Sequence, residues 1–354
     1  MKPSRSKTRP FKRLLRLLSY PAALLLCAVL LSFTVADAVR FASLYAYVSP
    51  VPDGDFFPEK PEEPKKYIKW AEFNIPSAAL DRAYAADLKA YKEGKRAGWI
   101  DSLALLGTKY SGHWKRYRAA DLDAIAAGLK KGDPFDKLKS NKYYPYFYEV
   151  YETVLKEYVG PYKIEAPDPA DKTKTAVAEK YGLKCFSPIA AGYGYSEFDD
   201  FGVSRSYGYK RRHLGHDMMG RVGTPIVAVE GGDIEEAGWN QYGGWRVGVR
   251  SFDKKRYYYY AHLRKGHPFG LNIVKGGRVE AGDVIGYLGM TGYSPRENVN
   301  NINTPHLHFG LQLIFDEVQK DGVNQIWIDV YALTNFLRKN RSQVVYREDT
   351  KDYV

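Results

Sequence analysis

The 354-residue chain is 45% hydrophobic and 15% aromatic, enough for packed cores, which excludes wholesale disorder. Its formal charge of +12 invites a nucleic-acid reading, but Lys2, Arg5, Lys7, Arg9, Lys12, Arg13 and Arg16 all fall within the first sixteen residues. Without those seven the remaining 338 residues carry only +5, so the excess is mainly a targeting feature and argues against a nucleic-acid partner.

Residues 1–16 read as a basic cytoplasmic tail, and 17–38 as a transmembrane anchor. The run from Leu17 to Ala36 is uncharged, and about twenty apolar residues suffice to cross the hydrocarbon core as a helix. Cations on its N-terminal side put that side in the cytoplasm and the rest outside. The competing reading is a secreted protein cleaved after Ala38, because Ala36-Asp37-Ala38 fits the small-x-small pattern. Both readings export everything from residue 40 onward.

Residues 39–65 are expected to form a linker. The stretch SPVPDGDFFPEKPEEP from Ser49 is proline-rich and acidic, which suits a semi-rigid spacer. Residues 66–163 are expected to form a small all-α domain of unknown purpose. Leu80, Tyr84, Leu88 and Tyr91 keep helical spacing behind Ser77, a candidate N-cap. Three further stripes follow: Ile100 to Tyr110, Leu122 to Leu129, and Phe147 to Tyr158. The stripe from Leu122 to Leu129 ends at the breaker Lys131-Gly132-Asp133-Pro134.

The polar stretch EAPDPADKTKT from Glu165 marks a domain boundary, and 166–345 is expected to be a β-rich domain. Its short runs (WRVGVRSF, RYYYYAHL, DVIGYLGM, HLHFGLQLIF) are punctuated by glycine, as strands are. The chain has two cysteines, and Cys27 and Cys185 could not pair across a membrane. Cys185 therefore reads as a small buried hydrophobe.

Six of the seven histidines lie between positions 213 and 308. In a strand His306-Leu307-His308-Phe309-Gly310-Leu311-Gln312-Leu313, alternation puts His306, His308 and Gln312 on one face and the apolar residues on the other. Two imidazoles so placed bind one metal, or one binds while the other handles water; two bland strand histidines are the competing reading. His213 and Asp217 are too far apart in an extended chain to share a metal, so that role requires a bend at Gly215; a hydrogen-bonded surface pair is the alternative. His216 should point away from His213. In Tyr257-Tyr258-Tyr259-Tyr260-Ala261-His262, alternation puts His262 on the face of Tyr260 and Tyr258. His113 and His267 receive no role.

Together HLGHDMMGRVGTPIVAVEGGDIEEAGW, YYYYAHL, VEAGDVIGYLGMTGYS and TPHLHFGLQ resemble the lysostaphin-like (LytM-type) zinc metallopeptidases, a family of peptidoglycan endopeptidases. The resemblance runs from about Asp199 to Phe315. It implies a β-rich duplicated hybrid motif peptidase domain, which with the helical domain and membrane helix read above makes an α+β chain. It further implies one Zn²⁺ held by His213, Asp217 and His308, with His306 as general base and His262 on the oxyanion or the water. Tyr260, with a packing role as its alternative, and, in the asparagine-rich loop from Tyr293 to Thr304, Asn303 become substrate-binding candidates. The expected activity is hydrolysis of peptide bonds in stem peptides or cross-bridges during cell-wall remodelling. The expected partners are peptidoglycan, the membrane through the N-terminal helix, and cell-wall, division or sporulation proteins through the helical domain. A catalytically idle scaffold or activator of other wall hydrolases is the alternative. A binding module for anionic wall polymers or lipid headgroups is compatible with either but leaves the histidines unexplained.

Overall fold

Strand β13 (His306–Leu313) lies inside the main sheet and carries the alternation read from its sequence. Leu307, Phe309, Leu311 and Leu313 are buried on one face, while His306 and His308 remain partly open on the other. Removing four such side chains from water is worth about 1.5–3 kcal/mol each and fixes which face the histidines take.

The computed structural model describes residues 67–167, 174–206 and 210–354. The basic tail, the membrane segment and the linker expected over 1–65 lie outside the described residues. No helix among the described residues is long and apolar enough to cross a membrane.

Along β13, one edge pairs antiparallel with β10 (Arg256–Ala261); the other is shared by β6 (His216–Met219) and β14 (Ile326–Ile328). Beyond β10 lie β9 (Gly244–Ser251), β8 (Gly232–Asn240) and β11 (Arg278–Val279); beyond β6 lies β3 (Ser196–Glu197). Register places Asp217 directly opposite His308, and His308 opposite Ala261. A hairpin of β4 (Ser204–Ser206) and β5 (Lys210–Arg212) leads into His213, and β7 (Pro225–Val227) pairs with β12 (Val284–Tyr287). Beyond the expected end at residue 345, β15 (Tyr346–Arg347) and β16 (Asp352–Tyr353) fold back so that buried Asp352 accepts a hydrogen bond from Tyr287.

The four stripes fold as helices α1 (Ser77–Lys92), α2 (Trp99–Tyr110), α3 (Ala119–Lys131) and α5 (Tyr144–Leu155), with one turn, α4 (Asp136–Lys139), between them. Helix α3 stops at Gly132, which takes φ 85°. Ser77 does not cap α1: the cap is Pro76, whose carbonyl accepts from Ala79 and Leu80.

The expected boundary at Glu165 is corrected by the structure, because Glu165 lies inside β1 (Val159–Pro167). That strand pairs along its whole length with β2 (Thr175–Leu183). Polar and proline residues are tolerated there because an isolated two-stranded ribbon is exposed on its edges. Residues Lys66–Val354 form one compact unit, and its main core runs unbroken from Leu103 and Tyr151 to Tyr258 and Phe309.

A buried polar knot ties helices to sheet. Arg256, 0% exposed, donates from Nε and Nη2 to Glu230 at 2.8 and 3.0 Å, from Nη2 to Asp253 at 3.0 Å, and from Nη1 to the Thr153 carbonyl at 2.6 Å. Tyr258 donates to the same Glu230 at 2.6 Å. Cys185 is buried, and burial pushes its thiol well above the ordinary range, as an inert core residue requires.

Candidate metal centre and groove

Three lone-pair atoms converge where β6 meets β13. His213 Nε2 lies 3.0 Å from Asp217 Oδ1 and 2.9 Å from His308 Nδ1, and the last two are 3.0 Å apart. Donor atoms bound tetrahedrally at ~2.0–2.1 Å sit roughly 3.3 Å from one another, so this triangle has the dimensions of one small cation's ligand set. Two imidazole nitrogens and a carboxylate oxygen also have the right chemistry for Zn²⁺.

The bend that brings His213 to Asp217 is real, but glycine is needed there for a different reason from the one expected. Gly215 does not adopt a positive φ. A Cβ at this position would lie 2.6 Å from His308 Nε2 and 2.8 Å from the Phe309 carbonyl, so only glycine lets the turn pass the ring.

Asp200, to which the sequence assigned no role, orients His213. Its carbonyl and Oδ1 lie 3.3 and 3.1 Å from His213 Nδ1, which places the proton on Nδ1 and the lone pair at Nε2. Arg205 pairs with Asp200 and sits 3.8 Å from Asp217 Oδ2. The only signal in the sequence was the DDFG segment. Burial disfavours the His213 cation, but Asp217 and Asp200 outweigh it and its pKa is raised. Burial alone would raise the Asp217 carboxyl, but His213 and His308, when they carry a proton toward it, hold it far below the usual range. For His308 burial wins, and its pKa falls.

His306 and His262 reach the same centre. His306 Nε2 lies 3.8 Å from Asp217 Oδ1, and its Nδ1–H donates to the Thr304 carbonyl at 2.8 Å. The His262 ring centre is 4.8 Å from that of His306 and 5.9 Å from that of His308. Its Nδ1–H donates to the Thr291 carbonyl at 2.8 Å. A carbonyl can only accept, so Nδ1 holds a proton in each ring and Nε2 is the atom that carries the lone pair in the neutral form. Burial, then the neighbouring His306 and His308, hold His262 well below the ordinary histidine range.

Tyr260 is the clear correction. It is fully buried on the core face, where its hydroxyl accepts from the Val229 amide at 2.9 Å. Alternation fails between Tyr260 and His262 because β10 ends at Ala261 and His262 takes φ 63°, which turns its ring to the opposite face. Tyr259, not Tyr260, lines the groove, with its ring 5.9 Å from that of His308. Asn303 is exposed in a bend before β13 and is not among the groove-lining residues.

His216 points away as expected. It is buried, bonds Thr334 Oγ1 at 2.9 Å, and burial lowers its pKa to about 4. His267 pairs with Asp352 away from the centre. The groove has a volume of about 640 Å³ and is lined by His213, His262 and His308 together with Arg211, Tyr242, Tyr259, Tyr293 and Trp327, among others.

Comparison with known proteins bears on residues 211–323, which match the model of peptidase family M23. The chain is 38% identical over 124 residues to the L-Ala–D-Glu endopeptidase of Bacillus subtilis, covering 35% of this chain and 36% of that protein. It is 34% identical over 137 residues to the glycyl-glycine endopeptidase ALE-1 of Staphylococcus capitis, covering 38% of this chain and 33% of that one. The chain thus spans about a third of the length of these relatives. The crystal structure of a lytM-named protein from Ruminococcus gnavus superposes with a TM-score of 0.52 at 20% identity, covering 77% of this chain and 91% of that one, a likeness of fold.

Proposed function

We propose that this chain, whose residues 211–323 match the model of peptidase family M23, is a zinc-dependent endopeptidase cleaving peptide bonds of peptidoglycan stem peptides or cross-bridges. The observation that carries the reading is the 2.9–3.0 Å triangle of His213 Nε2, Asp217 Oδ1 and His308 Nδ1, with His306 beside it. Three protein ligands leave a coordination position open, as a catalytic rather than a structural zinc site requires. When bound, the ion supplies Lewis acidity toward the scissile carbonyl oxygen and a lowered pKa for the attacking water.

The chain's own residues do the rest. Asp200 and Arg205 hold His213 and Asp217 in place. His306, fixed by Thr304, takes the water's proton at Nε2 and returns it to the leaving amine nitrogen. His262, neutral and fixed by Thr291, also offers a lone pair at Nε2, which suits it to aligning the water. A donor role toward the oxyanion would require its cation, which burial disfavours. The cationic flank of residues 17–38 supports an extracytoplasmic site of action, on the outer side of the membrane.

The test is digestion of purified peptidoglycan by the full chain, with mass analysis of released peptides, after chelation and after zinc is returned. The reading predicts that cleavage is lost and then restored. A zinc-loaded protein that releases no peptides would instead favour the idle scaffold.

A further inference from the structure

Arg205 and Arg211 face each other across the β4–β5 hairpin, and their charges meet different fates. Arg205 is neutralised by Asp200 and lies near Asp217. Arg211 has no carboxylate partner among the described residues. It is held instead by aromatic groups: its guanidinium carbon lies 5.0 Å from the Tyr293 ring centre and 5.8 Å from that of Tyr242, and Nη2 donates to the Tyr293 hydroxyl. Its Nε–H is buried and makes no hydrogen bond among the described residues. A half-buried guanidinium fixed by stacking and left with donors unspent is preorganised for an oxyanion.

The position of this guanidinium gives it a meaning for substrate choice. Tyr293, on which Arg211 rests, packs against His262 at 5.6 Å between ring centres. Arg211 therefore lies within roughly three extended residue lengths of the catalytic centre, in the wall of the same groove. Of the other groove cations, Arg246 approaches Glu236 at 3.4 Å and Lys320 contacts Asp321 at 3.2 Å and the Tyr257 ring, while Arg212 is an exposed side chain, not one fixed by stacking.

We propose that Arg211 is a specificity-determining residue that receives a free carboxylate of the substrate within about three residues of the scissile bond. This inference rests on the endopeptidase reading above and refines it. The site would select a peptide bearing an unamidated acidic residue over its carboxamide form or a neutral oligoglycine bridge. Charge-assisted hydrogen bonds of this kind discriminate by about tenfold to a hundredfold.

The test uses the full chain carrying His306→Ala, so that binding is read without turnover. The ligands are two synthetic stem peptides identical except for a carboxylate or a carboxamide on the acidic residue. The proposal predicts about tenfold or more tighter binding of the carboxylate peptide. Arg211→Gln added to this chain should erase the preference, and Arg211→Lys should restore part of it, separating loss of charge from local unfolding around Tyr242 and Tyr293. Equal binding of the two peptides, or a preference that survives Arg211→Gln, overturns the proposal. Preference in binding with no cleavage by the unmutated chain would sink the endopeptidase reading and leave the carboxylate site standing.

Discussion

Gly215 passes so close to His308 that the hydrogen on its Cα fills the space where any side chain would strike the imidazole. One face of that ring is thus set by a missing side chain, while Nδ1 at its other side joins the ligand triangle. Gly215→Ala should displace the ring and weaken zinc binding at least ~10-fold, with a stability cost of about 1–3 kcal/mol. Competition titration against a chelator, alongside a thermal melt, checks this; unchanged zinc affinity would refute it.

Asp200 acts on the metal centre through His213 and, by way of Arg205, Asp217. Asp200→Ala should lower zinc affinity by about 10–100-fold with a normal far-ultraviolet spectrum. Activity at saturating zinc should return further than in Asp217→Ala, because a ligand is not lost. Equal zinc affinity in Asp200→Ala and the unmutated chain would remove Asp200 from the account.

The Arg256 knot predicts that the helices and the sheet unfold together. Glu230→Ala strands a fully buried guanidinium and should cost about 3–5 kcal/mol, seen as a lower urea midpoint. Replacing both partners, as in Arg256→Met with Glu230→Leu, should recover much of the loss. A single mutant as stable as the unmutated chain would show that the knot is not structural.

Acid should weaken the same region. Burial would raise the Asp253 carboxyl, but Arg256 and bonds from Ser251 and Lys255 outweigh it and the pKa is lowered. A folded pKa below the unfolded value of ~3.9 gives stability that is present above that pH and lost as pH falls through the folded value. Asp253→Asn should flatten the acid limb of a stability-versus-pH curve below about pH 4. An acid limb identical in both proteins would contradict this.

Much of this was legible because local period and chemistry agreed. The β13 histidines follow from period-two alternation anchored by Leu307, Phe309, Leu311 and Leu313, and the helices from their apolar stripes. What could not be read depends on departures from period or on distant pairing. The positive φ of His262 reverses the phase of its own strand, which moved the groove position from Tyr260 to Tyr259. Asp200 and Arg205 meet His213 and Asp217 only after the chain doubles back through β4 and β5. Glu165 looked like a connector because an exposed ribbon strand and a linker share the same polar composition.

The central claim is that the His213–Asp217–His308 triangle binds zinc while His306 moves the proton. Paired measurement of zinc content and peptide release from purified peptidoglycan, for the full chain and for His306→Ala, tests it most directly. The account predicts one zinc per chain in both proteins, with release slowed by about 10²–10⁴-fold in the variant. Release by His306→Ala at the rate of the unmutated chain, or loss of its zinc, would contradict it.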